Sequence, residues 1–254
     1  MSPHVAQADP DQDNRMSNAE YRNHAHYIAD GWSTEPKESF KELLAIIRAE
    51  APNAKDILDV GCATGELLGF LSKYLADTRC SGVDVTDDLL VAARNNLPQA
   101  KFVNASALEL PAYFAEAFDV TCAIGCMSIF DETQIESFWE NLFRVTRPGG
   151  LIVVLSPLNE FGIDAMIRHR KRPDGKAAKW ETGWNIFSKE TIGEIVETIG
   201  SQLQLKRFQI PIDMKPKDDP IRTWTIKTDS RDRQLTNGLK LLVDHYFMIA
   251  RKRR

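Results

Sequence analysis

From Asp56 to Leu155 the chain repeats one unit: a short apolar run, a polar break, then apolar residues at helical spacing. Runs at Asp56–Val60 (DILDV), Ser81–Val85 (SGVDV), Lys101–Ala105 (KFVNA), Phe118–Ile124 (FDVTCAI) and Leu151–Leu155 (LIVVL) read as five strands. Helical spacing over Glu66–Leu75, over Asp87–Asn96, near Leu108–Phe114 and over Thr133–Val145 separates them. Strands that alternate with helices imply an α/β fold with a parallel sheet, because a parallel neighbour is reached by a right-handed crossover. The turn Arg147-Pro148-Gly149-Gly150 is expected just before the fifth strand.

The flanks are less regular. Residues 1–17 are polar and aperiodic, which predicts a flexible leader. Residues 18–254 are expected to form a single domain. A helix over Ser39–Ala49, stopped by Pro52, precedes the first strand as an N-terminal helical cap. After the fifth strand come an insertion at about 158–186, a helix over Lys189–Ile199 ending at Gly200, and a sixth strand (LQLKRFQI). A second insertion at about 214–242 holds a strand at Trp224–Lys227 and a turn at Asn237-Gly238. HYFMIA supplies a seventh strand, and Arg251–Arg254 reads as a tail beyond it. No internal repeat interrupts this order.

Composition excludes other classes. With 43% hydrophobic and 27% charged residues and no apolar run near eighteen, the chain is neither membrane-spanning nor wholly disordered. The formal net charge is −4, where a nucleic-acid binder usually carries a basic excess. Cys62, Cys80, Cys122 and Cys126 are too few for a disulfide scaffold and read as reduced core residues, so a cytoplasmic setting is expected. Neither they nor the histidines show paired metal-ligand spacing, and no metal is expected. An oligomer is neither required nor excluded.

Ile57-Leu58-Asp59-Val60-Gly61-Cys62-Ala63-Thr64-Gly65 is a strand that empties into a glycine turn and then a helix. Such a turn lets a ligand approach the backbone, and the helix start offers free amides. About twenty residues on, Asp84 ends the next strand, where a carboxylate can take ribose hydroxyls. This is nucleoside-binding geometry. A nicotinamide dehydrogenase requires Gly-x-Gly-x-x-Gly, whereas here the spacing is Gly61-x-x-x-Gly65, with Asp59 two residues ahead. An acid beside the loop repels a pyrophosphate and suits a cationic ligand.

The Asp-Val-Gly-Cys-Ala-Thr-Gly string, Asp84 and the late Arg-Pro-Gly-Gly turn together resemble a class I S-adenosylmethionine-dependent methyltransferase over residues 39–157. The resemblance implies a Rossmann-like seven-stranded, mostly parallel sheet with the last strand antiparallel and helices on both faces. It also implies S-adenosylmethionine as donor, with S-adenosylhomocysteine as product. Carried over, Asp59 orients the methionine ammonium, the backbone of Gly61, Cys62, Ala63 and Gly65 lines the methionine end, Asp84 takes the ribose, Val85 packs on adenine, and Gly125 offers backbone. Two positions depart from the family: Ala63 stands where many members have glycine, and Ser106 where an aspartate often meets the adenine amine.

The acceptor side is read from residue types. His24 and His26 lie near Tyr27 and Trp32, two aromatics that could close over the cofactor; an exposed polar face is the competing reading for the histidines. In the first insertion, Trp180 and Trp184 offer flat faces, Glu181 and Asn185 offer hydrogen bonds, and Arg168–Arg172 offers positive charge around His169. His169 and Glu181 are the catalytic candidates, and His245 reads as structural. The expectation is methyl transfer to a small molecule, O-methylation of a sugar-type or hydroxylated metabolite first, with N- or carboxyl-methylation or a non-catalytic donor-binding protein as alternatives. Nucleic acid and membrane are not expected partners.

Overall fold

Asp56–Val60 (β1) is buried at all five positions, as befits a strand in the middle of a sheet covered on both faces. The structure, a computed structural model, describes residues 25–29, 31–170, 172, 176, 179–214, 224–229, 233–239 and 241–253. The expected leader therefore lies outside the described residues. Before β1 come a short helix, Ala25–Ala29 (α1), and Glu38–Glu50 (α2), the latter burying Phe40, Leu43, Leu44, Ile46 and Ile47. After it follow Glu66–Tyr74 (α3), Arg79–Asp84 (β2), Asp87–Asn96 (α4), Lys101–Asn104 (β3), Phe118–Ile124 (β4), Ile135–Val145 (α5) and Thr146–Asn159 (β5). Arg168–His169 (β6), Glu181–Thr182 (β7) and Phe187–Ser188 (β8) lead to Lys189–Thr198 (α6) and Leu203–Phe208 (β9). Trp224–Lys227 (β10), Arg233–Thr236 (β11), Leu242–Val243 (β12) and His245–Arg251 (β13) complete the chain.

The main sheet runs β3-β2-β1-β4-β5-β13-β9, with β8 also pairing β5. β1 through β5 pair in parallel, while β13 lies antiparallel between β5 and β9. This path is the expected seven strands, with β8 as an eighth beside β5, and its antiparallel strand is the last in the chain. Alternate residues build two cores. Ile57, Val120, Cys122, Val153 and Ile249 meet α2, α3 and α4 on one face, and Leu58, Ala123, Ile152 and Met248 meet α5 and α6 on the other. Among the described residues no helix is long and apolar enough to cross a membrane.

Three expectations need correction. Arg147-Pro148-Gly149-Gly150 lies within β5, not before it: Gly149 adopts φ +81, the β4–β5 register shifts between Phe118 and Val120, and Gly149 N donates to Lys252 O at 2.8 Å. That contact also shows that the C-terminal basic run is no free tail as far as it is described. Arg251 ends β13 and donates to Glu50 O, and Lys252 Nζ donates to Thr146 O at 3.0 Å. The helix near Leu108–Phe114 shrinks to one 3₁₀ turn, Ala112–Phe114. The Ser106 hydroxyl captures the Leu108 amide at 3.1 Å and Pro111 brings no amide proton, so a longer helix has no ladder to build on.

At the N-terminal ends of the strands, Arg147 donates to Asp56 and Asp119, and Arg79 makes a second, two-pronged contact with Asp56. Burial raises both carboxyls, but Arg79 and Arg147 outweigh it at Asp56, and the Asp56 amide, Arg147 and the Lys55 amide outweigh it at Asp119, so both lie below the usual carboxylate range. The late arginine of the Arg-Pro-Gly-Gly string thus ties β1, β4 and β5 together at the end of the sheet opposite the loops.

Candidate functional site

At the C-terminal end of β1 the chain turns through Gly61 at φ +78, Ala63 at φ +46 and Gly65 at φ +78 before α3 begins. Left-handed backbone is what lets the loop fold back: Gly61 N and Cys62 N donate to Val83 O on β2, and Gly65 N donates to Cys62 O. A Cβ on Gly61 would lie 3.0 Å from Cys126, so the first glycine is required by space as well as by φ. Ala63 pays a left-handed strain that glycine would not, and its amide donates to Asp84 Oδ2 at 3.0 Å. Asp84 Oδ1 takes the Thr86 amide at 3.0 Å, so this carboxylate bridges the ends of β1 and β2. Each oxygen keeps a lone pair for a further donor.

Asp59 is the unusual group. It is 3% exposed, and its one hydrogen-bond partner among the described residues is the Cys122 thiol, at 3.8 Å. Burial, and then the neighbouring Asp84 charge, push its carboxyl up to about 8. A carboxyl buried without a cation beside it is a site for a cation. Around it the thiols of Cys62, Cys122 and Cys126 are all raised, chiefly by burial and then by the Asp59 charge, so they stay protonated. They serve as small packing groups: Cys122 Sγ donates to Leu58 O and Cys126 Sγ to Val60 O.

This loop geometry on this strand order agrees with what the chain is similar to. Residues 57–150 match a family described as "Methyltransferase domain". Over those residues, somewhat more than a third of the chain, it is similar to a methyltransferase domain. It is 29% identical over 117 residues to a dTDP-3-amino-3,4,6-trideoxy-alpha-D-glucopyranose N,N-dimethyltransferase of Streptomyces venezuelae, covering 44% of this chain and 47% of that protein. It is 30% identical over 125 residues to a tRNA N(3)-methylcytidine methyltransferase of Schizosaccharomyces pombe, covering 46% and 40%. The match spans about half the length of these relatives. Among solved structures, the 1,6-didemethyltoxoflavin-N1-methyltransferase of Burkholderia thailandensis superposes with a TM-score of 0.60 at 14% identity, over 99% of this chain and 94% of that one. At that identity the likeness is one of fold.

Around this loop the other sequence-derived candidates separate into groups. Ser106 follows β3, beside Asp84, whose carbonyl takes the Ala105 amide at 3.1 Å. Gly125 ends β4 at φ +86 with open space where a side chain would stand. Val85 is half-buried. Trp32 goes to the donor loop: its Nε1 donates to Thr64 O at 3.1 Å, and its ring lies so close to Gly69 that a Cβ there would meet it at 2.3 Å. Ser33 N and Lys37 Nζ both bind the Glu66 carboxylate, so residues 32–37 strap the start of α3. Sequence reasoning missed Lys37, Glu66 and Gly69 because nothing local marks a contact across thirty residues. Tyr27 is half-buried on α1, which packs against α4 beside the Asp84 loop. His24 lies outside the described residues.

The first insertion forms the β6–β7 hairpin, in which His169 and Glu181 stand directly opposite each other. Arg168 and Arg170 both stack on Trp180, at 5.9 and 4.8 Å from its ring centre, and Trp180 remains 51% exposed. Trp184 is held at φ +61. Asn185 is a correction: it is 2% exposed, its Nδ2 donates to Phe130 O, and its Oδ1 takes the Ile167 amide. Its polar atoms anchor the insertion and are not turned to an acceptor. Phe187 and Leu158 root this insertion in the α5–α6 core, while Leu235 roots the second insertion in the opposite core. The two flank the loop end from opposite faces of the sheet.

Proposed function

We propose that this protein transfers the methyl group of S-adenosylmethionine to a small-molecule acceptor of sugar type, at a hydroxyl or an amine. The observation that carries the reading is Asp59: a carboxyl buried at a glycine loop, eased by the Cys122 thiol and the more distant Lys37 charge, would ionise against a methionine ammonium. The backbone of Gly61, Cys62, Ala63 and Gly65 would line the methionine arm, and Gly125 would face its amino-acid end. Asp84 would take the ribose hydroxyls with its remaining lone pairs, Val85 would pack on adenine, and the Ser106 hydroxyl would meet the adenine amine. Trp32 and Tyr27 would close the donor side.

When bound, S-adenosylmethionine supplies an electrophilic methyl group whose leaving group is a neutral thioether. No acid or metal is then needed for departure, and the protein's part is alignment and exclusion of water. A hydroxyl acceptor also needs its proton removed. His169, paired in register with Glu181 across the two strands, is the proposed base, and the Glu181 carboxylate would orient its ring. Trp180 and Trp184 would offer faces to a ring-shaped acceptor, and the Arg168–Arg170 pair would attract an anionic substituent such as a phosphate. A relative that methylates a nucleotide-linked amino sugar supports the sugar class.

Incubation with methyl-labelled donor and a panel of nucleotide sugars, free sugars and hydroxylated aromatics tests the proposal. Label in a sugar product supports it. Label in an added tRNA alone, or in no product while donor still binds, would overturn it.

A further inference from the structure

His245, the first residue of β13, faces the same side of the sheet as Asp59. Residues directly opposite in a sheet share a face, and the register runs Asp59 to Cys122, Cys122 to Val153, and Val153 to Ile249. His245 is four residues from Ile249 and so on that face too. Because β13 is antiparallel, the four steps carry it toward the loop end, beside Pro157 of β5 and Phe208 of β9. On the strand grid it stands three strands over from Asp59, about 14 Å across the sheet and about 13 Å further toward the loops. That interval leaves room for a small acceptor between it and a donor held over β1.

The imidazole Nδ1 of His245 is buried and has no hydrogen-bond partner. Two other buried polar atoms in the adjoining chain are likewise unpartnered: Thr236 Oγ1 at the end of β11 and Asn237 Nδ2 just after it. Leu235 packs this segment into the same core as Phe208 and Phe247, and β11 pairs with β12, which leads directly into His245. Six buried side-chain polar atoms are unpartnered among the described residues, and three of them belong to this one strand junction at the ligand end of the sheet, a grouping that points to a polar ligand.

We propose that His245, with Thr236 and Asn237, forms the acceptor-recognition wall of the site, His245 Nδ1 accepting a hydrogen bond from a neutral hydroxyl or N–H of the acceptor. This rests on the methyl-transfer reading and deepens it by naming the chemistry the acceptor presents on that side. Burial pushes the His245 imidazole down to about 4, against the pull of the Val243 backbone and Asp244, so the ring is neutral at physiological pH. A neutral ring carries one proton and one bare acceptor nitrogen, and the proposal gives the acceptor role to the unpartnered Nδ1. Thr236 and Asn237 add a hydroxyl and an amide, which suit the remaining oxygens of a polyhydroxylated ring.

The test uses full-length protein labelled with ¹⁵N-histidine and saturated with S-adenosylhomocysteine, titrated with phenol as a hydroxyl probe and with toluene as its hydroxyl-free control. The His245 Nδ1 resonance should shift saturably with phenol and stay still with toluene. Phenol affinity should fall at least tenfold in His245→Phe and recover in part in His245→Gln, with S-adenosylhomocysteine affinity within twofold of wild type in both. A His245 resonance that phenol leaves unmoved, or equal phenol binding in wild type and His245→Phe, would overturn the proposal. Failure of S-adenosylhomocysteine to bind wild type would instead strike the donor reading, and the phenol titration of the unliganded protein would still report on His245.

Discussion

Asp59→Asn removes one ionisable group from beneath the donor loop while keeping its shape, and the effect on stability has a definite sign. In the folded protein the carboxyl is raised from 3.8 to about 8, by burial and then by the Asp84 charge. Between those two values the folded state holds a proton that the unfolded chain has released, so stability declines as pH rises through the window. One proton gives a slope of about 1.4 kcal/mol per pH unit, hence a loss of roughly 3 kcal/mol between pH 5 and pH 7. Asparagine does not ionise, so the variant should lose that slope and exceed wild type in stability at pH 7. Ligand binding should move the other way. Hydrogen bonds to a charged group exceed neutral ones by about 1 kcal/mol, so S-adenosylhomocysteine affinity should weaken roughly fivefold. Urea unfolding of both proteins at pH 5, 6 and 7 reads the first effect. Parallel stability curves across that range would refute the argument that Asp59 is a buried carboxyl awaiting a cation.

Other consequences are separately measurable. Arg147→Gln removes the donor shared by Asp56 and Asp119. Because both carboxyls are depressed, the stability they confer is present above their unfolded pKa and lost as pH falls through the folded values; with Arg79 still on Asp56 and the Lys55 and Asp56 amides still on Asp119, this variant should gain less from neutral pH than wild type and unfold about 1 kcal/mol more easily there. Thermal melts from pH 3 to pH 7 check this, and an undiminished gap between acid and neutral melting would contradict it. Ala63→Gly relieves a left-handed alanine worth about 1 kcal/mol, offset by glycine's greater unfolded freedom, so its melting temperature should hold or rise. Ala93→Gly inside α4 should lower it, and equal losses in both would show Ala63 unstrained. Gly69→Ala places a Cβ within 2.4 Å of two Trp32 ring atoms. It should expel the indole, shift its fluorescence to the red and loosen S-adenosylhomocysteine binding several-fold; unchanged emission would mean that the strap tolerates it.

The strands that build the donor side were legible because they obey local rules. DILDV and FDVTCAI are apolar runs ended by a glycine or polar break, and Asp84 falls where the next strand must stop. The Trp224–Lys227 strand and the Asn237 turn also stand where expected, Asn237 Oδ1 capping the Leu239 and Leu241 amides. What was not legible depends on distant partners. Pro148-Gly149 reads as a turn in isolation, yet Lys252 recruits it into β5. Asn185 looks like a ligand-binding amide until Phe130 and Ile167 are seen to consume it. Trp32 and Tyr27 were expected as acceptor-side residues closing over the cofactor, whereas Gly69 leaves room for the Trp32 ring to seat against the donor loop. The face each insertion covers is likewise a tertiary fact: two-residue strands such as β6, β7 and β12 carry no period to read.

The central claim is that the Gly61–Gly65 loop with Asp59 and Asp84 binds S-adenosylmethionine. Titration calorimetry of S-adenosylhomocysteine into wild type and into Asp84→Asn, which keeps an oxygen for one loop amide but lacks the charge, tests it most directly. The account expects one site per chain in wild type, and in the folded variant an affinity lower by ten- to a hundredfold, from loss of charge-assisted bonds worth roughly 1.5–3 kcal/mol each. No heat in wild type, or the same affinity in both proteins, would contradict it.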